Sequence, residues 1–342
     1  MRSFDSTWCP AALLWRRDEK DGADGDVCCP QKASIDFCTP PNLLISLVHH
    51  VTCFFCEESR LTDTYNTDAE QPLILVSNNP EGTGAFNMAL DHYLFENAYT
   101  LGDSIWRLYL WNPPAVSIGR NQKLEQAVNL ETVKRENLPL VRRPTGGRAI
   151  WHCGDVCFTH AGVTPGQADS VKAFKSDYIR AASLIVRFLG ALGVDAGISP
   201  GQPGGSALHG PFKSPCFQCS GRFEVTVSGK KIAGIAQYRS GDRYLIQGSI
   251  RLEVIDPLNA DLFFTRAEEG RIAFEDFVAT VTSIDEELSW KTSWSELREA
   301  FCTALATSGE TVVDPLESGS AIELPAVAKL ETGIYSKTLI ER

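Results

Sequence analysis

Nothing in this sequence is long and apolar enough to span a bilayer. The nearest stretch, "LLISLVHHVTCFFC" at 43–56, is short and carries two histidines, whereas a spanning helix needs about 20 consecutive apolar residues. No basic region, apolar run and small-residue cleavage site follow one another at the start, so no secretory signal is expected. Positive charge is also in deficit: 32 Lys and Arg against 43 Asp and Glu leave a net charge of −11. Binding to phosphate backbones needs a basic surface, so a nucleic-acid partner is disfavoured. One local basic patch remains compatible with that total. Zinc spacing is missing as well. "CFFC" at 53–56 is half of a zinc site or a redox pair with no second half at convincing spacing, and no metal is assigned.

What is present begins late. Residues 1–70 hold six of the 11 cysteines, mix charge runs with short apolar pieces and show no sustained period; they read as disordered or as translated sequence upstream of the real start. From residue 72 the pattern becomes regular. "LILVS" (73–77), "SIWRLYLW" (104–111) and "AVSIG" (115–119) read as strands. Residues 82–98, about 129–137 and 170–192 read as helices, the last long and amphipathic. Residues 200–215, rich in proline and glycine, read as a loop long enough to be functional or mobile. After residue 257 two stretches have helical spacing, and Ser293 with Glu296 three residues on forms an N-terminal capping signal.

Two segments concentrate chemistry. "RRPTGGRAIWH" (142–152) packs Arg142, Arg143, Thr145, Gly146, Gly147 and Arg148 into one turn ahead of His152. The glycine pair exposes backbone N–H groups to a flat or anionic ligand; a Gly-Gly pair is also ordinary turn chemistry. The flanking 138–141 and 149–151 suggest a strand-loop-strand hairpin. The second segment, 216–253, alternates as a hairpin turning at Ser228-Gly229 with a third strand following. Gly234 leaves room for close approach at a strand position, while Lys230 and Lys231 read either as solvated residues near a turn or, for Lys231, as a partly buried strand residue.

"NMALD" (87–91), "SIGRNQ" (117–122), "RRPTGGRAIWH" and "GKKIAGIAQ" (229–237) stand in the order and spacing of the lipoate-protein ligase and octanoyltransferase family, which this chain resembles over roughly residues 73–253. The resemblance implies an α+β fold: a mixed sheet flanked by helices, of the biotin/lipoate protein ligase (class II synthetase-like) type. It divides the chain into a catalytic domain at 71–256 and a small helical C-terminal extension at 257–342. It also implies that the Arg-rich glycine loop wraps the acyl chain and that Lys231 faces the acyl carbonyl, where a fixed ammonium stabilises the developing oxyanion. Arg120, Arg142, Arg143, Thr145, Gly146, Gly147, Arg148, His152, Gly234 and Gln237 become the expected substrate contacts, with His152 more structural than catalytic.

Two reactions share such a scaffold. A ligase consumes ATP, with Mg, to make lipoyl-AMP; an acyltransferase moves octanoyl from acyl carrier protein with no cofactor, through a cysteine thioester, to a lysine of a 2-oxoacid dehydrogenase lipoyl domain or the glycine-cleavage H protein. "PCFQCSGRFEVTVSGKKIAGIAQ" (215–237) resembles the cysteine-containing segment of the octanoyltransferases, and the "N-D" pair of ligases is missing there. Cys216 is thus the expected nucleophile, with Cys219 its competitor; small buried thiols and a zinc half-site are the bland readings of the pair. The sequence departs from the pattern at "IQGSI", where Gln247 takes the usual histidine's place, and at "CGDVCFTHAG" (153–162). The expectation is a cytoplasmic octanoyl- or lipoyltransferase. The alternatives are the ligase and a non-catalytic acyl-carrier-binding protein.

Overall fold

The computed structural model describes residues 73–75, 80–101, 104–166, 170–200, 223–264, 268–308, 322 and 324–336. Residues 1–70, the loop at 200–215 apart from its first residue, and both Cys216 and Cys219 lie outside them.

The strands in chain order are β1 Leu73–Leu75, β2 Glu81–Gly82, β3 Ser104–Trp111, β4 Ala115–Ile118, β5 Leu140–Arg142, β6 Ile150–His152, β7 Asp155–Val163, β8 Gly197–Pro200, β9 Phe223–Val227, β10 Lys230–Ser240 and β11 Arg243–Arg251. The helices are α1 Gly84–Glu96, α2 Ala98–Leu101, α3 Leu124–Ala127, α4 Leu130–Arg135, α5 Val171–Ala191, α6 Leu258–Phe263, α7 Glu268–Ala279, α8 Ile284–Leu288, α9 Trp294–Thr307 and α10 Leu324–Leu330, which runs into a π-helical turn, Glu331–Tyr335. The mixed main sheet has the order β1-β3-β7-β11-β10-β9-β8, with β2 added alongside β3; a second sheet has the order β5-β4-β6. Mixed sheet and flanking helices are those expected from the sequence.

Strand alternation assigns the two faces of the main sheet to different cores. From β3, Trp106 and Leu108, and from β7, Val156 and Phe158, point to a core shared with α5 and α9. Ile105, Tyr109, Cys157 and Ala161 point the other way, to a core shared with α1, Val327 and Tyr335. Strand β7 is therefore buried along its whole length, as a central strand covered on both faces must be. Helix α9 starts at a capping box in which Ser293 and Glu296 satisfy each other's backbone N–H groups, and its Leu297, Phe301 and Leu305 fill the α5 core. The second sheet carries a third core with α6 and α7, built on Val116, Leu140, Phe263 and Phe277.

One expectation fails. Strands β5 and β6 do not form a hairpin: β4 lies between them, parallel to β5 and antiparallel to β6. The apolar strand Ala115–Ile118 is buried at every residue, and pairing on both edges satisfies its backbone groups there. The turn 143–149 consequently spans β4 rather than closing a hairpin. Among the described residues no helix is long and apolar enough to cross a membrane.

Candidate active site

The turn after β5 is braced by its own cations. The buried Arg143 donates from Nη2 to the carbonyl oxygens of Gly146 (2.8 Å) and Arg148 (2.6 Å), from Nε to Gly146 (3.1 Å) and from Nη1 to Ser117 Oγ (3.0 Å). Arg142 donates from Nη1 to the carbonyls of Gly119, Arg120 and Gln122, at 3.0, 3.1 and 2.7 Å, and burial lowers its pKa. Backbone bonds from Arg120 N to Thr145 O and from Arg143 N to Ile118 O stitch "SIGRNQ" to the turn. The approach is so close that a Cβ on Gly119 would lie 2.0 Å from Gly147 O, and Gly147 itself has φ +87°. Concentrated charge and minimal side chain in one turn thus have one cause: a fork of N–H donors folds the loop by filling its carbonyl oxygens.

Thr145 joins this turn to the helix that bears "NMALD". Its Oγ1 donates to Gln247 Oε1 (2.7 Å), and Gln247 Nε2 donates to Asp91 Oδ2 (2.6 Å). Asp91, fully buried, also accepts from Arg107 Nη1 (2.7 Å) and Tyr109 Oη (3.0 Å), while Asn87, one turn earlier on α1, accepts from Arg107 Nη2 (2.6 Å). Burial, reinforced by the Asp91 charge, pushes the Tyr109 hydroxyl well above its ordinary pKa. Gln247, at the position where histidine was expected, supplies one donor and one acceptor and so bridges Thr145 to a carboxylate without titrating.

His152 closes a second network. Its ring stacks on Trp111 at 3.9 Å and 2°; Nε2 lies 2.8 Å from Ser117 Oγ and Nδ1 2.7 Å from Asp155 Oδ2. Ser249 Oγ donates to the same carboxylate oxygen at 2.5 Å. Burial alone would raise Asp155, but His152, Arg251 and the bond from Ser249 outweigh it and hold the carboxyl below its usual value. The neighbouring Cys157 thiol is pushed well up by burial and then by Asp155, which suits a packed thiol rather than a nucleophile. His152, Asp155 and Cys157 bring possible metal-ligand atoms within 4.8 Å of one another. The 2.7 Å His152–Asp155 bond already engages two of the three.

These networks wall a narrow cavity of about 20 Å³, lined by Met88, Tyr109, Trp111, Ser117, Arg143, Ile150, His152, residues 234–236 and residues 247–249. That volume suits about one water molecule. A second cavity of about 480 Å³ lies beyond it, with Arg143 in both walls; Arg120, Arg142, Tyr238 and Tyr335 line it too, and Arg120 stacks over the Tyr238 ring at 4.2 Å.

Strand β10 explains where Lys231 goes. Lys231 pairs with Thr226 and Ala233 with Val225, a shift that leaves Ile232 as the extra residue of a β-bulge. Ile232 and Ala233 both enter the α5 core, so Lys231 shares a face with the cavity-lining Gly234 and Ala236 instead of alternating away from it. Lys231 is buried, and its Nζ lies 2.7 Å from Glu224 Oε1; it is not a solvated turn residue. Its backbone is fixed on the other side, with N donating to Thr280 O and its carbonyl accepting from Thr282 N.

The structure thus brings Arg143, His152 and Gly234 to the first cavity and Arg120 and Arg142 to the second, with Thr145, Gly146, Gly147 and Arg148 in the turn between. Lys231 shares the sheet face of Gly234 and Ala236 but lines neither cavity, and Gln237 lines neither. It lies on the opposite face of β10, beside Arg239, which pairs with Asp177 of α5, and both polar atoms of its side chain are buried without a hydrogen-bond partner among the described residues. Asp91, Ser117, Asp155 and Glu224 were assigned no role from the sequence. The one readable signal was Asp91 within "NMALD", a carboxylate on the buried side of an apolar helix.

Among solved structures, lipoate-protein ligase A bound with ATP superposes with a TM-score of 0.55 at 20% identity, over 77% of this chain and 94% of that one. A lipoate protein ligase from Thermoplasma acidophilum gives 0.56 at 22%, over 79% and 94%. The fold is therefore that of a lipoate-protein ligase catalytic domain. At the sequence level, two proteins named octanoyltransferase LipM, from Geobacillus kaustophilus and Bacillus subtilis, are each 32% identical to this chain; the alignments cover 72% and 68% of it and 92% and 85% of those proteins. The profile of the lipoyl protein ligase A/B catalytic domain matches residues 83–306, and the chain belongs to that family.

Proposed function

We propose that this chain is a protein-lysine octanoyltransferase of lipoate assembly, taking the acyl group from acyl carrier protein and passing it through Cys216 to a lysine of a lipoyl domain or of the glycine-cleavage H protein. The observation that carries the reading is the placement of a narrow cavity against Arg143, His152 and Gly234, with the Lys231 ammonium brought by the bulge to the same sheet face. The similarity to proteins named octanoyltransferase LipM selects octanoyl as the acyl group.

The chemistry balances without a nucleotide. The Cys216 thiolate attacks the thioester carbonyl, a C–S bond forms, and negative charge grows on the oxygen, where a fixed ammonium is most effective. Collapse breaks the donor C–S bond and releases the carrier thiolate. A neutral acceptor amine then attacks the acyl-enzyme, and its proton goes to the departing Cys216 sulfur as the amide forms. A reactive thiol needs a reducing compartment, which the cytoplasm provides.

The test is intact-mass spectrometry after mixing the protein with octanoyl-acyl carrier protein and no ATP. An octanoyl adduct is expected, lost in Cys216→Ser and kept in Cys219→Ser. Modification of acceptor only when ATP and free lipoate are supplied, with both variants active, selects the ligase reading instead. Thioester binding without turnover selects the non-catalytic one.

A further inference from the structure

Glu224 and Thr226 stand on the face of β9 opposite Val225 and Val227, which enter the α5 core. Because Lys231 is registered with Thr226 and the bulge follows directly, Glu224 and Lys231 meet diagonally across the strand pair, within reach of two long side chains. The contact is 2.7 Å, and both partners are largely shielded from solvent: side-chain exposure is 9% for Lys231 and 14% for Glu224. A pair removed from water in this way loses hydration, and apolar residues of similar volume often stabilise a fold at least as well. Its position is therefore informative: it sits on the cavity face, on the strand into which the segment bearing Cys216 and Cys219 leads.

Resting on the transferase reading, we propose that Glu224 is a positioning residue for that reaction: it holds the Lys231 ammonium at the cavity face in the free enzyme and fixes the direction in which that charge is presented to the carbonyl oxygen. Lys231 is then a held cation and exchanges no proton in the acylation step. The bulge sets which face the lysine occupies, the backbone bonds to Thr280 and Thr282 fix its Cα, and Glu224 fixes its far end. All three are in place before substrate arrives, which is the arrangement electrostatic stabilisation requires.

The experiment compares wild type, Glu224→Gln, Glu224→Asp, Lys231→Ala and the Glu224→Gln/Lys231→Ala double variant. Single-turnover formation of the octanoyl-enzyme is followed by mass, and labelling of Lys231 by an amine-specific acetylating reagent is read by peptide mapping. Glu224→Gln is expected to slow the maximal acylation rate roughly tenfold or more, as misplacement of a catalytic group does, with the half-saturating donor concentration unchanged. Glu224→Asp recovers part of the rate, Glu224→Gln costs nothing further once Lys231 is gone, and Lys231 labels faster in Glu224→Gln than in wild type. Wild-type rates in Glu224→Gln, or equal fractional losses with and without Lys231, overturn the proposal. Should wild type form no octanoyl-enzyme, the transferase reading fails by itself; the labelling arm still decides the pairing, and equal labelling of Lys231 in wild type and in Glu224→Gln refutes it. Melting temperatures of both Glu224 variants separate lost positioning from lost folding.

Discussion

The two cation-bearing segments around the cavity hold their charge by opposite means. In the turn 142–148, Arg142 and Arg143 spend their donors on carbonyl oxygens of the loop and of "SIGRNQ", so the charge is internal reinforcement. In the β9–β10 hairpin the Lys231 ammonium faces a carboxylate, a partner with which a developing anion can compete. A planar fork with five donors suits the first task and a point charge on a flexible stem the second. The contrast separates cations that brace the loop beside the cavity from one held against a carboxylate on the neighbouring strand.

The sharpest way to break that contrast is Arg143→Ala. Five donated bonds vanish and the carbonyls of Gly146, Arg148 and Ser117 lose a partner, so a stability loss of about 3 kcal/mol or more is expected, together with loss of activity; a urea titration measures it. Arg143→Lys should rescue little, because one ammonium cannot span Gly146, Arg148 and Ser117. Lys231→Ala should do the reverse, lowering acylation roughly a hundredfold in a protein that still folds cooperatively by circular dichroism.

A smaller effect comes from Asp155. Its carboxyl is depressed in the fold, so its contribution to stability is present above the unfolded value of about 4 and is lost as pH falls through the lower folded value. Urea midpoints should decline across that acid window in wild type and flatten in Asp155→Asn, which starts from a lower midpoint at neutral pH. The smallest effect belongs to Lys230→Ala. Lys230 is exposed beside the turn, and its removal should change stability by less than about 0.5 kcal/mol and leave acylation at the wild-type rate.

Alternation made much of the fold readable. Strand β3, helix α5, the β9–β10–β11 meander and the Ser293 cap all follow from local spacing. What stayed hidden was non-local. The flanks of the glycine turn are indeed strands, but nothing in 138–152 shows that β4 inserts between them. Ile232 and Ala233 look like ordinary strand residues, and only the pairing with Val225 reveals that one is extra and that Lys231 is thereby re-aimed. Gln237 was read with its motif neighbours, yet a period of two sends it to the α5 face. Gln247 was visible as a departure, whereas its bridging of Thr145 to Asp91 depended on a helix more than 150 residues away.

The fastening of α10 and the π-helical turn onto α1 has a consequence for how the molecule is made. Val327 and Tyr335 belong to the core of α1, Tyr335 Oη lies 3.1 Å from His92 Nδ1, and Thr83 donates to Glu331 across 248 residues. During vectorial synthesis α1 leaves the ribosome well before these residues, and the surface it offers them stays bare until the intervening chain has emerged. Until residues 324–336 dock, the nascent protein therefore carries an uncovered apolar strip on α1, a natural site for chaperone capture.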